Sequence, residues 1–160
     1  MTLYCIPPQA KEESALFSVM GQDAHSKNLC GELFLEPGPV FHLPADAVLV
    51  SSQICGGSLR ERLLDMKAAS GKNLWLVIEP LCHLFSLPCP EAVGQIISEA
   101  ESHVLRMKHQ VYDSPEFVCQ YCVIVHRAEL RIHLFDTPQT VQKKIELACS
   151  LGVDNVIYIM

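Results

Sequence analysis

Leu130-Arg131-Ile132-His133-Leu134-Phe135-Asp136-Thr137-Pro138, continuing from Gln139 to Ile159 as QTVQKKIELACSLGVDNVIYI, decides the fold class. Leu130, Ile132 and Leu134 alternate with Arg131 and His133, the period of a strand. Asp136-Thr137-Pro138 then offers a helix start: a side-chain oxygen for exposed backbone N–H groups, and a proline whose fixed φ suits the first turn. Val141, Ile145 and Ala148 recur at helical spacing, Gly152 stops the helix, and Asn155 to Ile159 is a second apolar strand. The segment predicts β-α-β.

Upstream, Ala47 to Ser51 reads as a short buried strand, followed by a turn at Gly56-Gly57. Ser58-Leu59-Arg60-Glu61 has capping-box spacing, and Leu59, Leu63 and Met66 form the apolar stripe of a helix. Leu74-Trp75-Leu76-Val77-Ile78 is a continuous apolar run, the form taken by a parallel strand covered on both faces. This makes a second β-α-β unit.

Elsewhere the pattern is coarser. A short strand at Leu3 to Ile6, a helix at Lys11 to Met20 and a strand at Gly31 to Leu35 are the readings of the first part. Pro37-Gly38-Pro39 through Pro44 is an extended connector. Prolines between Pro80 and Pro90 argue against regular structure. A helix starts at Pro90 or at Ser98, where Ser98-Glu99-Ala100-Glu101 repeats the capping-box spacing, and Val93, Ile97, Ala100, Val104 and Met107 supply its apolar face. Phe117 to Val125 pairs antiparallel with Leu130 to Phe135. The expectation is a single α/β domain over residues 1–160, with one mixed, mostly parallel sheet, helices on both faces and a barrel-like reduced arrangement.

Bulk properties narrow the function. A net charge of −6 and a pI near 5.6 give no electrostatic footprint for nucleic acid or anionic lipid. The opening MTLYCIPPQAKEES has neither the basic start nor the apolar core of a secretory signal. No run reaches the ~20 apolar residues that span a bilayer. The eight cysteines are spread through a chain long enough to fold without staples, so they read as reduced thiols of a cytoplasmic protein. Charged residues form 19% of the chain and mean hydropathy is +0.22, so some apolar surface is expected to be shared in a homodimer. The strands at 117–125 and 155–159 are the expected contributors, the latter as an exposed edge.

The closing segment LRIHLFDTPQTVQKKIELACSLGVDNVIYIM resembles the end of chitinase-like family eighteen glycoside hydrolases. There a strand ending in an acidic residue, a helix with lysines and leucines, and an LGV turn lead into the last barrel strand. The resemblance implies a glycan-directed fold, with Asp136 at the strand end. The family's D-x-x-D-x-E motif is absent, and Asp113-Ser114-Pro115-Glu116 has different spacing, which implies a reduced or non-catalytic relative.

Three constellations bear chemistry. Glu79-Pro80-Leu81-Cys82-His83 follows a buried strand, where parallel α/β sheets hold ligands. Glu79 is a candidate base with Cys82 or His83 beside it. A polar residue also simply ends such a strand. Ser51-Ser52 through Gly56-Gly57-Ser58 runs into a helix N-terminus and suits an anion, although no Walker pattern is present and Ser58 has a capping role. Cys119-Gln120-Tyr121-Cys122 has a zinc-knuckle spacer without a second pair, and in a strand the two thiols face opposite ways. The seven histidines form no metal pattern, and His133, with His126, reads as surface decoration. No G-x-S-x-G elbow supports a triad. No metal and no cofactor are expected. The reading is a non-catalytic ligand-binding or assembly module; the alternative is a small glycosidase-like hydrolase using Glu79 and Asp136, with a carbohydrate ligand.

Overall fold

The computed structural model describes residues 46–53, 57–70, 73–89, 93–126 and 129–159, with residues 2–6 described by their backbone alone. The expected helix at Lys11 to Met20, the strand at Gly31 to Leu35 and the proline connector lie outside the described residues. The chain divides into two compact units: Met1–Ser52 with Arg60–Glu79 and Ile145–Met160, and Gln53–Leu59 with Pro80–Lys144.

The first unit holds a four-stranded sheet built from β1 (Thr2–Ile6), β2 (Val48–Ser51), β3 (Leu74–Ile78) and β9 (Asn155–Ile159), in the order β1-β9-β3-β2. Every pair is parallel. The apolar run Leu74–Ile78 is the buried central strand that its composition predicts. Trp75, Ile157 and Ile159 form a buried cluster with Ala47 and Val77 packed against it. The register sets Val50, Leu76, Ile78 and Val156, all buried, at alternating positions on the other face. Helix α1 (Leu59–Ser70) buries Leu59 and Leu63, as the stripe predicts.

Two strand readings need correction. Val48–Ser51 is not buried throughout: among the described strands it lies at the edge of the sheet, and only Val50 is buried. Asn155 to Ile159 is not an exposed edge, because β9 is paired by both β1 and β3.

The second unit holds an antiparallel sheet of β4 (Cys82–Leu87), β5 (Gln95–Ile96), β6 (Val111–Ser114), β7 (Cys119–His126) and β8 (Glu129–Phe135), in the order β5-β4-β8-β7-β6. Among the described residues there are therefore two sheets, one parallel and one antiparallel, rather than one mixed sheet, and neither is a closed barrel. Short links account for the β6–β7 and β7–β8 pairs, since tightly linked strands can pair only antiparallel, whereas β4 meets β8 across some forty residues of sequence. The β7–β8 pairing is the predicted one, from Gln120 opposite Phe135 to His126 opposite Glu129. The expectation of irregular structure between Pro80 and Pro90 is wrong. Six consecutive non-proline residues there suffice for β4, whose inner neighbours are β8 and β5.

Helix α2 (Glu99–Lys108) starts at the later of the two predicted points. Ser98 Oγ accepts from Glu101 N at 3.3 Å while Glu101 Oε2 accepts from Ser98 N at 3.0 Å, the full capping box. Its predicted apolar face does not point to the core. Ala100, Val104 and Met107 are exposed, and the buried residue is Ser102. Polar anchoring has overridden hydrophobic periodicity here.

Helix α3 (Pro138–Ser150) follows prediction closely. Thr137 is its cap: Thr137 Oγ1 accepts from Thr140 N at 3.2 Å, and Thr140 Oγ1 accepts from Thr137 N at 2.8 Å. Ile145 and Ala148 are buried. At the other end, Gly152 N donates to Cys149 O and Val153 N to Ala148 O, both at 2.9 Å. This pair of bonds is a Schellman motif, which needs a left-handed residue at Gly152, where φ is +70°.

With Thr137 as the cap, Asp136 has another task. Its Oδ2 accepts from Lys144 Nζ at 2.6 Å and from Leu81 N at 2.9 Å, and its Oδ1 accepts from Thr140 Oγ1 at 2.8 Å. The Asp136 N–H returns a bond to Leu81 O at 2.9 Å. The two charged side chains are 1% and 0% exposed. Removing one member of such a pair leaves an uncompensated buried charge. Lys144→Met is therefore expected to lower the unfolding free energy in urea by about 3–5 kcal/mol, and adding Asp136→Asn to recover part of it. A Lys144→Met protein as stable as wild type would show that the pair does not carry this load.

Candidate functional site

Parallel α/β sheets bind ligands beyond the C-terminal ends of their strands, where loops converge and backbone groups lack ladder partners. In the first unit that edge is formed by Ser51 and Ser52 after β2 and by Glu79 after β3. Ser51 is opposite Val77 in the register, so Ser51, Val77 and Glu79 alternate onto the face that carries Trp75 and Ile157. Ser51 is exposed and Glu79 half-buried. The face thus offers a hydroxyl and a carboxylate at its C-terminal end, on the same side as the buried cluster of Trp75, Ile157 and Ile159. Ser52 falls on the opposite face; its backbone N–H donates to Val77 O at 2.8 Å, extending the ladder by one rung. Its Oγ is buried without a hydrogen-bond partner, in a residue 2% exposed. An unmade hydrogen bond of this kind costs about 1–3 kcal/mol.

The remaining sequence candidates belong to the second unit, apart from Gly56, which lies outside the described residues. Gly57 is exposed with φ +66° just ahead of α1. Cys82 and His83 open β4 and point to opposite faces of the antiparallel sheet. Burial pushes the Cys82 thiol up, partly offset by its hydrogen bond to Ser102, so it is a protonated thiol at neutral pH. Asp136, with both oxygens engaged, is built into the frame described above.

Cys119 and Cys122 are both buried, three residues apart on β7 and therefore on opposite faces. Burial and, second, the nearby Asp136 push the Cys119 thiol up to about 12, against a smaller lowering by Lys144. Burial also raises Cys122. Among the described residues no group of three or more His, Cys, Asp or Glu side chains is arranged to hold a metal.

The sequence reading missed a polar relay under α2. Ser102 and His133 are fully buried, and Ser102 Oγ lies 2.8 Å from His133 Nε2. His133 Nδ1 lies 3.1 Å from the His83 carbonyl oxygen. A carbonyl only accepts, so the proton sits on Nδ1, and Nε2 accepts from the Ser102 hydroxyl. His133 also stacks on Phe135, with ring centroids 5.0 Å apart, and Arg106 lies 5.1 Å from the Phe135 centroid while pairing with Glu99. His133 is thus not surface decoration, because α2 covers its face of the strand. The signal was a serine in the middle of a helix, a position that normally disfavours it. The pair has the connectivity of a nucleophile and its base, but full burial keeps substrate away and makes it a structural tie.

No protein-family model matches the chain, and no curated protein matches it. Solved structures that share its fold include two spore cortex-lytic enzymes. The spore cortex-lytic enzyme SleL of Bacillus cereus aligns at 13% identity and a TM-score of 0.54, over 71% of this chain and 31% of that one. The spore cortex-lytic enzyme SleL of Bacillus megaterium QM B1551 aligns at 12% identity and a TM-score of 0.50, over 74% and 29%. At these identities the likeness is one of fold, and the chain spans about a third of the length of those enzymes.

Burial lowers the His133 pKa, with the hydrogen bond to the His83 carbonyl opposing the shift. The unfolded chain takes up this proton near pH 6.5, the folded protein only at lower pH. Stability is therefore complete above pH 6.5 and declines as pH falls from there to the folded value, by up to about 1.4 kcal/mol per unit. Urea midpoints at pH 7 and pH 5 should show this decline in the wild type and a smaller one in His133→Gln. Equal slopes would exclude His133 as its source.

Proposed function

We propose that this chain is a glycoside hydrolase-like protein, related in fold to chitinase-like family eighteen enzymes, that takes a glycan at the C-terminal edge of its parallel sheet. The observation that carries the reading is the placement of Glu79 and Ser51 at strand ends, on one face of the parallel sheet. A carboxylic acid there can protonate a glycosidic oxygen, and the exposed Ser51 hydroxyl on the same face can hydrogen-bond a sugar hydroxyl. The fold shared with two cortex-lytic enzymes supports the same direction.

Hydrolysis by two flanking carboxylates needs a second group accessible to the sugar. Asp136 does not offer one, since Lys144, Thr140 and Leu81 occupy its oxygens. This observation favours a second reading, in which the chain binds a glycan without cleaving it, as a reduced relative of the hydrolases.

Chitopentaose and soluble peptidoglycan fragments, offered to the pure protein, separate the two. Release of reducing ends that falls roughly 100-fold or more in Glu79→Gln, with binding by calorimetry retained, is expected for the acid role. Binding without turnover in the wild type would select the non-catalytic reading. Neither binding nor turnover with either glycan would sink both.

A further inference from the structure

Helix α2 lies on the more polar face of the antiparallel sheet, and its hold on that face is narrow. Cross-strand register sets Cys82, Phe135, Gln120 and Asp113 in one row of this face and Leu84, His133, Cys122 and Val111 in the next. Of the α2 residues only Ser102 is buried, and its Oγ, 2.8 Å from His133 Nε2, ties the helix to the middle strand. Arg106 adds a second hold through the Phe135 ring and Leu105 is half-buried, while Val104 and Met107 are exposed. The chain on either side is fixed independently: Ile97 N donates to Cys82 O at 3.1 Å, and Val111 pairs with Cys122. A helix fastened in this way can lift while the strands stay paired.

We infer that α2 is an acid-released cover: when His133 takes up a proton, the helix lifts from the sheet and opens the row that holds His133 and Cys122. Nε2, which accepts the Ser102 hydroxyl, becomes a donor, so that hydroxyl would have to turn about, accept, and give up the partner of its own proton. Flipping the ring brings no relief, because both nitrogens of an imidazolium donate and Nδ1 is committed to the His83 carbonyl. The charge also meets the wrong neighbours. Arg106 of α2 and His83 of β4 oppose it, and Arg131, two positions earlier on the same face of β8, is paired with Glu129. Glu99 of α2 favours it, but its carboxylate is held by Arg106. The Cys82 and Cys122 thiols, both pushed up by burial, offer no counter-charge, and Asp113 of β6 bonds Gln120. The other charged or titratable groups of α2, Glu101, His103 and Lys108, are exposed. Lifting the helix admits water to an imidazolium that burial disfavours.

Native-state labelling of the full chain with 4,4′-dithiodipyridine, which reacts with thiols on the acid side of neutrality, tests this at pH 7 and pH 5. Each rate is divided by that of the urea-unfolded chain at the same pH, and each labelled cysteine is located by mass spectrometry. Two buried thiols make the comparison internal: Cys122 lies on the face that α2 covers and Cys119 on the opposite one. Protection of Cys122 should fall between pH 7 and pH 5 by roughly 5- to 25-fold, the upper figure being that of an imidazole with a pKa of ~6.5 in the open state that stays neutral in the closed one. Cys119, reached through global unfolding, should remain at least about 10-fold better protected than Cys122 at pH 5. His133→Gln cannot take up the proton and should hold Cys122 protection constant with pH. Equal protection of the two thiols in the wild type, a comparison that needs no variant, would overturn the inference, because the opening would then be global. A change in wild-type Cys122 protection below about 5-fold, or an equally steep fall in His133→Gln, would overturn it as well.

Discussion

The Asp136–Lys144 pair ties together three pieces of chain: the entry to β4 at Leu81, the end of β8 and the first turns of α3. A buried ion pair is weak evidence for stability when compared with an apolar substitute, because both ions give up water. What this pair supplies is specificity of position. Oδ2 is shared between an ammonium and a backbone amide, and Oδ1 takes the Thr140 hydroxyl, so a displacement of any one of these elements breaks several charge-assisted bonds. The raised thiol of Cys119 is a by-product of the same dry, charged neighbourhood.

The antiparallel unit reverses the usual division of labour between faces. Its helix sits on the face with histidine, glutamine and arginine, tied by Ser102 to His133 and by Arg106 to the Phe135 ring, while the opposite face is the more apolar one. Packing by a satisfied polar network is geometrically more exacting than packing by hydrophobic contact, since a half-made network is worse than none. It also explains why α2 can turn Val104 and Met107 outward.

Where local rules and tertiary context agreed, the sequence was readable. The α3 segment was predicted almost residue by residue, because capping chemistry, stripe and C-terminal glycine all demand the same structure, and Leu74–Ile78 followed from its continuous apolar run. Where they disagreed, reading failed in a consistent way. Strand β4 stands where the flanking prolines predict irregular structure, because a proline restricts only itself and the residue before it and leaves Cys82–Leu87 free to pair. The exposed face of α2 was misassigned because period alone does not say which neighbour a helix meets. The division into a parallel and an antiparallel sheet depends on partners distant in sequence, such as Leu84 with His133, for which composition carries no signal. Of the candidate site, Glu79 and the two serines were legible as polar residues at strand ends, whereas the buried Ser102–His133 tie was not, because a strand histidine looks the same from sequence whether or not a helix covers it.

The reciprocal bonds between Leu81 and Asp136 join residues 55 apart in sequence. An excursion whose two ends are already stapled is, for the rest of the polymer, a closed loop of fixed width at its neck. Doubling the length of a flexible loop of this kind costs only about 0.6 kcal/mol in closure entropy. A change of length within that excursion is therefore cheap for the chain on either side of the neck, as long as Asp136 keeps its bonds to Leu81 and Lys144.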